Sequence, residues 1–428
     1  MNKTNLLIRG AQILNPADGG DGRVGDIAVE DGIIRAVGAA PPAFEPHQII
    51  EAGGLVAAPG FVDLAVSLRE PGLEYKGTVF SETRAAAAAG VTTLCCTPCT
   101  RPAVDSPATV ELIEQRAAAA GFCRVLIVGA LSRGLAGDEL SEMAALQEAG
   151  CIALGNDLNP FADLRVLRRA MEYAAGLEMP LFLHACDGAL AAGGCAHEGA
   201  VATRLGLAGI PASAEIAALG QCLALAAETG ARVHFCRLSC ARSVELLADA
   251  RARGLPVSAD VAAHQLFLTE DDISDFNSDC RVLPPLRAGE DRAALREGLR
   301  SGVIDAVCSD HQPHDINAKL APFPSSEPGI SALETLLPLV LALAEDGFGL
   351  AAALALVTSR PGALLPGAAG QLREGAAADL CLFNPAAEWR ATPETLHSSG
   401  KNTPFLGATL TGRVHRTLYQ GRVVHEPE

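Results

Sequence analysis

Hydrophobic residues recur at two different spacings along this chain, and the switch between them outlines its organisation. Near the amino terminus, residues 6–14, 26–29 and 33–37 are short apolar runs separated by turn residues at Asp18-Gly19-Gly20-Asp21-Gly22 and at Asp31-Gly32. Apolar runs of this length, bounded by Gly and Asp, predict strands. The same grammar returns at the other end, in residues 378–383 and in a hairpin over 416–424. Two β-rich ends around a different centre predict one small β-sandwich built from both, covering residues 1–55 and 367–428.

Residues 56–366 alternate β-branched runs with Ala-, Leu- and Glu-rich ones. Strands are predicted over 61–68, 92–96, 124–130, 152–154, 180–184, 232–237, 257–261 and 305–309. Helices over 82–89, 139–149 and 213–228 fall between them. Eight strands alternating with helices predict an α/β chain with a TIM-like (β/α)8 barrel. The longest apolar run, 333–344, contains Glu334 and Pro338 and is too short to span a membrane, so it reads as a barrel helix. The alanine runs at 85–89 and 117–120 reflect helix propensity, and no internal repeat is visible.

Composition narrows the function. The chain has 428 residues, 49% hydrophobic and 19% charged, which describes a globular protein with a sizeable core. A formal net charge of -17 excludes nucleic acid and anionic membrane as partners, because an acidic surface repels both. No basic amino-terminal region precedes an apolar run, so a cytoplasmic protein is expected. Thirteen cysteines, mostly inside apolar strands, fit reduced thiols better than a disulfide framework. Cys96 and Cys99 form a lone C-x-x-C with no second pair, which reads as buried and loop thiols.

A barrel of this type carries its chemistry at the carboxyl ends of its strands. Several long stretches there resemble the dihydroorotases, cyclic-amide hydrolases of the amidohydrolase superfamily. They include Leu68-Arg69-Glu70-Pro71-Gly72, Glu198-Gly199, Arg204-Leu205-Gly206-Leu207 and Gly209-Ile210-Pro211-Ala212. Others are His264 before Leu266-Phe267-Leu268-Thr269-Glu270-Asp271-Asp272, then Pro284-Pro285-Leu286-Arg287, Ser309-Asp310-His311-Gln312-Pro313-His314 and Asn402-Thr403-Pro404-Phe405. The resemblance covers nearly the whole chain. It implies that His184 and Asp157 stand at metal-site positions and that Asp310 stands where active members keep a metal-binding general base. It also implies that Arg69, His264 and His314 stand near the substrate position, Arg69 as a donor to a carboxylate.

Other positions depart from the family pattern. The first barrel strand of a dihydroorotase ends in His-x-His, and the strand period of two turns both imidazoles to the barrel interior. Here those positions are Ala65 and Ser67. Arg237 occupies a third metal-histidine position, and arginine has no acceptor and repels a divalent cation. His234 lies in the same stretch but is not the family's ligand. Gly155-Asn156-Asp157-Leu158 replaces Thr-Asp-Asp-Gly, and Cys99 and Leu283 replace two substrate-binding asparagines.

Catalytic zinc sites keep three protein ligands and one open position. His184 and Asp310, with Asp157 at most a helper, are too few, so no cofactor is expected and Asp310 is vestigial. Arg237 is expected to fill the metal's place and bond to Asp310 or Asp157. A soft-metal site rebuilt from Cys99, Cys186, Cys236 or Cys308 has no spacing motif behind it. The resemblance implies a non-catalytic subunit, since some bacteria need a degenerate dihydroorotase to assemble aspartate carbamoyltransferase, an enzyme of pyrimidine synthesis. The alternative is an active zinc-dependent dihydroorotase or related cyclic amidohydrolase with an altered metal site. A hydantoinase- or allantoinase-like hydrolase is disfavoured by the same losses.

Overall fold

The chain's two ends meet in one sheet, which the computed structural model describes together with the rest of residues 5–19, 22–367 and 369–427. Strands β1 (Asn5–Ile13), β2 (Val24–Glu30), β3 (Ile33–Gly38), β4 (Gln48–Glu51) and β5 (Val56–Pro59) come from the amino-terminal side. Gly20 and Asp21, part of the first expected turn, lie outside the described residues. β5 runs antiparallel to a strand near the other terminus, with Pro59 opposite Leu380 and Val56 opposite Phe383. Leu6, Ile8, Ile27, Ile50, Leu380 and Leu418 pack together in its core. Alternation along β5 serves two cores: Ala57 joins this one, and Val56 and Ala58 face the barrel helices.

One residue, Gly60, separates β5 from the first barrel strand, β6 (Phe61–Val66). A Cβ at Gly60 would lie 2.1 Å from Thr92 Oγ1, so the crossing leaves no space for a side chain. The next units are α1 (Val79–Ala88), β7 (Val91–Cys96), α2 (Pro107–Ala120), β8 (Arg124–Ala130), α3 (Met143–Glu148), β9 (Ala153–Gly155) and α4 (Leu164–Gly176). β10 (Leu181–Leu183) leads into an insertion made of α5 (Gly188–Ala191), β11 (Ala196–His197), α6 (Ala200–Leu205) and β12 (Gly209–Ile210). Then follow α7 (Ala212–Thr229), β13 (Val233–Phe235), α8 (Ala241–Ala252), β14 (Val257–Ala262), α9 (Gly289–Arg300) and β15 (Ala306–Cys308).

Strands β6 to β10 and β13 to β15 form a parallel barrel in chain order. Its seam closes where Val66 pairs with His311, with Ser67 N donating to His311 O at 2.9 Å and His311 N to Ala65 O at 3.0 Å. The eight strands match the sequence pattern. The helix expected over 139–149 is shorter, because residues before Met143 pair instead: Leu140 bridges Ser132, and Arg133 N donates to Glu139 O at 2.9 Å. Tertiary pairing overrides helix propensity there.

After β15 come α10 (Asn317–Leu320), α11 (Leu336–Leu343), α12 (Leu350–Ala355) and α13 (Ser359–Gly362), then β16 (Leu380–Arg390), β17 (Thr409–Tyr419) and β18 (Arg422–His425). The apolar run at 333–344 becomes a short turn and α11, seven of whose eight residues are buried. β17 packs on α11 and α1, tying the terminal sheet to the barrel flank. Among the described residues no helix is long and apolar enough to cross a membrane.

Candidate functional site

Strand ends deliver the family-matched residues to one mouth. From β6 come Ala65, Ser67 and Arg69, from β7 Thr97 and Cys99, and from β9 Asn156 and Asp157. His184 follows β10, Arg237 follows β13, His264 follows β14 and Asp310 follows β15. Arg69, Asp157, Arg237 and Asp310 all have left-handed backbones, with φ of 66°, 47°, 59° and 52°. Such conformations cost about 1–3 kcal/mol each for residues with a Cβ and persist only where the surroundings enforce them. Four at one barrel mouth mark a constellation held by the whole fold.

At its centre the Arg237 guanidinium joins two carboxylates. Nη1 donates to Asp310 Oδ1 at 3.0 Å and Nη2 donates to Asp157 Oδ1 at 3.0 Å. Arg237 is 4% exposed, so these charge-assisted bonds lie away from solvent. Burial pushes Asp310 up to about 6, while the guanidinium and the Gln312 amide hold it down against that push. Asp310 is therefore ionised at neutral pH. His184 is driven the other way, to about 4, by burial and by the Arg237 charge, so its ring is neutral. Its Nδ1 lies 3.4 Å from Cys236 O.

Beside this bridge, Ser67, Arg69 and His314 are engaged with neighbours. Ser67 Oγ contacts Thr97 Oγ1 at 3.2 Å and Cys99 Sγ at 3.3 Å. Arg69 spends its Nε–H on Pro313 O at 3.0 Å, and its Nη2 lies 3.3 Å from His314 Nε2. His314 is held near 3 by burial together with Arg69 and Lys76. A neutral ring donating from Nε2 to Pro328 O and accepting at Nδ1 from Lys76 satisfies both nitrogens. Leu283 and His184 line a cavity of about 220 Å³ beside Cys186, Glu215 and Arg287. His264 is buried with no hydrogen-bond partner on either nitrogen, and burial holds it near 3. It makes no bond to the rest of the cluster.

The donor set does not fit zinc. Ala65 has no ligand atom, Ser67 is engaged with neighbours, and a guanidinium lies between the two carboxylates that would face the ion. His234, Cys236 and Asp260 are the one trio among the described residues whose donor atoms lie within 4.8 Å of one another. That trio is closed by its own bonds. His234 Nε2 meets Asp260 Oδ2 at 3.0 Å and Nδ1 meets Ser258 Oγ at 2.8 Å, while Asp260 Oδ1 accepts from Arg237 N at 2.6 Å. Burial pushes the Cys236 thiol well above its ordinary value, as it does Cys308, and both stay protonated.

Three buried networks had no signal in the sequence. Glu82 accepts from Ser398 Oγ at 2.6 Å and lies 2.8 Å from His311 Nε2, and His311 Nδ1 accepts from Ala332 N at 3.0 Å. Arg287 joins Ser239 Oγ, Ile210 O and His197 Nδ1, each at 3.0 Å, and Ser239 in turn bonds to Glu215. Asp63 accepts from Ser309 N at 3.0 Å and Ala65 N at 3.2 Å, leaving Oδ2 without a partner.

Burial raises Asp63 from 3.8 to about 6. Between those values the folded chain binds more protons than the unfolded chain, so stability falls as pH rises through that window. Asp63→Asn removes this loss. Its urea midpoint should gain on the parent's between pH 4 and pH 8, and a difference constant with pH would refute the assignment.

This geometry has known relatives. The dihydro-orotase-like family matches residues 54–243. A dihydroorotase-like protein of Pseudomonas aeruginosa is 50% identical over 422 residues, covering 98% of this chain and 99% of that protein. The chain belongs to the dihydroorotase-like family. A protein named dihydroorotase from Anaeromyxobacter sp. (strain K) is 43% identical, covering 98% of each chain. The L-hydantoinase (dihydropyrimidinase) from Arthrobacter aurescens superimposes with a TM-score of 0.86 at 25% identity, over 98% of this chain and 96% of that one. A dihydropyrimidinase from Brevibacillus agri, 21% identical with a TM-score of 0.83 over 99% of this chain and 95% of that one, shares the amidohydrolase barrel fold.

Proposed function

We propose that this dihydroorotase-like chain is a non-catalytic homologue that serves as a structural and assembly subunit of a cytoplasmic aspartate carbamoyltransferase in pyrimidine synthesis. The observation that carries the reading is the Arg237 bridge. The carboxylate that active relatives would use as a base is instead a counter-ion. A buried Arg between two Asp holds the mouth in shape without an ion, which suits a scaffold and not a hydrolase. The intact barrel and terminal sheet support a role that needs the fold alone.

A second reading is an active cyclic-amide hydrolase, favoured by relatives that carry the name dihydroorotase at 42–43% identity. It requires replacement donors at 65 and 237, and neither alanine nor arginine supplies one. Expression with and without a carbamoyltransferase catalytic chain separates the readings. Co-elution in a fixed ratio is expected, with carbamoyltransferase activity that falls when this chain is withheld. Separate elution with undiminished activity would contradict the scaffold role.

A further inference from the structure

A second cavity lined by charged groups lies on the barrel flank, away from the mouth. It holds about 300 Å³ between α1, α11, β17 and β18, a size within the range of small-ligand sites. Arg84 on α1 and Arg413 on β17 line it from two different walls, and neither guanidinium has a hydrogen bond or ion pair to a described residue. In a chain with 50 acidic and 33 basic side chains, two unpaired guanidiniums at one cavity is an uncompensated positive site.

Acids in the lining do not neutralise them. The Glu334 carboxylate is taken up by the backbone N–H groups of His397 and Ser398 and by His397 Nδ1, at 2.6, 3.1 and 3.0 Å. Glu394 stands exposed at the rim. Lys401 donates to Leu396 O and Ser398 O at 2.5 and 2.6 Å, which fixes the intervening loop as a wall. His425 packs edge-on against His397, with centroids 5.4 Å apart. Burial, with the neighbouring His397, Arg413 and His415, lowers it to about 4, so its ring is neutral at neutral pH. Among the described residues these histidines gather no third donor, which does not suit a metal.

Trp389 completes the lining. Its indole N–H donates to Gly412 O at 3.0 Å, which fixes the ring and leaves no free donor on it. We propose that this cavity binds a small phosphoryl compound with a planar ring, its oxygens held by Arg84 and Arg413 and its ring against Trp389. Guanidiniums from two walls suit a tetrahedral dianion better than a flat carboxylate, and a fixed aromatic face suits a planar group. The site is independent of the barrel mouth and does not rest on the scaffold role.

Trp389 is the chain's one tryptophan, so its emission reports directly on this cavity. Phenyl phosphate titrated into the full chain at low salt should change that emission with one-to-one stoichiometry. It should bind more tightly than inorganic phosphate. Arg84→Met and Arg413→Met should each weaken phenyl phosphate about tenfold, one charged hydrogen bond's worth, at an unchanged unfolding midpoint because both side chains are exposed. No emission change and no heat of binding up to ~10 mM phenyl phosphate would overturn the proposal. So would binding that survives both substitutions together.

Discussion

Arg237→Ala is expected to cost about 3–5 kcal/mol of folding stability, read as a lower urea midpoint at an unchanged slope. The substitution strands Asp310 and Asp157, 2% and 9% exposed, beside a cavity with no cation. Gln312 Nε2, at 3.0 Å from Asp310 Oδ1, is the remaining donor to that carboxylate, and one neutral amide does not replace a guanidinium. The Asp310 pKa then rises beyond its present value near 6, so the loss should be larger at pH 8 than at pH 5. A control isolates the cause. Replacing Arg237, Asp157 and Asp310 together with apolar residues of similar size should restore much of the loss, because no buried charge is left unpaired. A cost below about 1 kcal/mol for Arg237→Ala would show that the bridge does not hold the mouth.

Restoring histidine at 65, 67 and 237 together is expected to raise zinc from well under one equivalent to about one per chain. Two of these positions sit two residues apart at the end of β6, and the third replaces the guanidinium that separates the carboxylates. Dihydroorotase activity should be undetectable in the parent and remain weak in the triple variant. Cys99 and Leu283 stand where the family has substrate amides, and each lost hydrogen bond is expected to cost about tenfold to a hundredfold. Arg69 is also committed in part to Pro313 O. Turnover in the parent that disappears in Asp310→Ala would contradict the non-catalytic reading. Efficient turnover by the triple variant alone would show that positions 99 and 283 matter little.

The barrel was legible in the sequence because each strand is a short β-branched run and each carries its own boundary. Residues 139–142 misled because their composition suits a helix while a pairing with residues 132–133 decides their conformation. Family-matched side chains at strand ends were legible for a related reason. The fold fixes where a strand end points, so identity at one position is enough to place Arg237 between Asp157 and Asp310. The networks behind them were not legible. Glu82 meets Ser398 across 316 positions and Arg287 meets His197 across 90, and no local period records such pairings. Asp63 looked like one more strand residue. Its buried, half-satisfied carboxylate follows from closing the barrel seam, which brings Ser309 N to its Oδ1.

The central proposal is that the guanidinium of Arg237 has taken the metal's place. Elemental analysis of the chain, purified without chelators and then dialysed against zinc, tests it in one step. Well under one equivalent of zinc or any other transition metal per chain is expected, with thermal unfolding unchanged by a chelator. Near-stoichiometric metal whose removal lowers the unfolding temperature would contradict it.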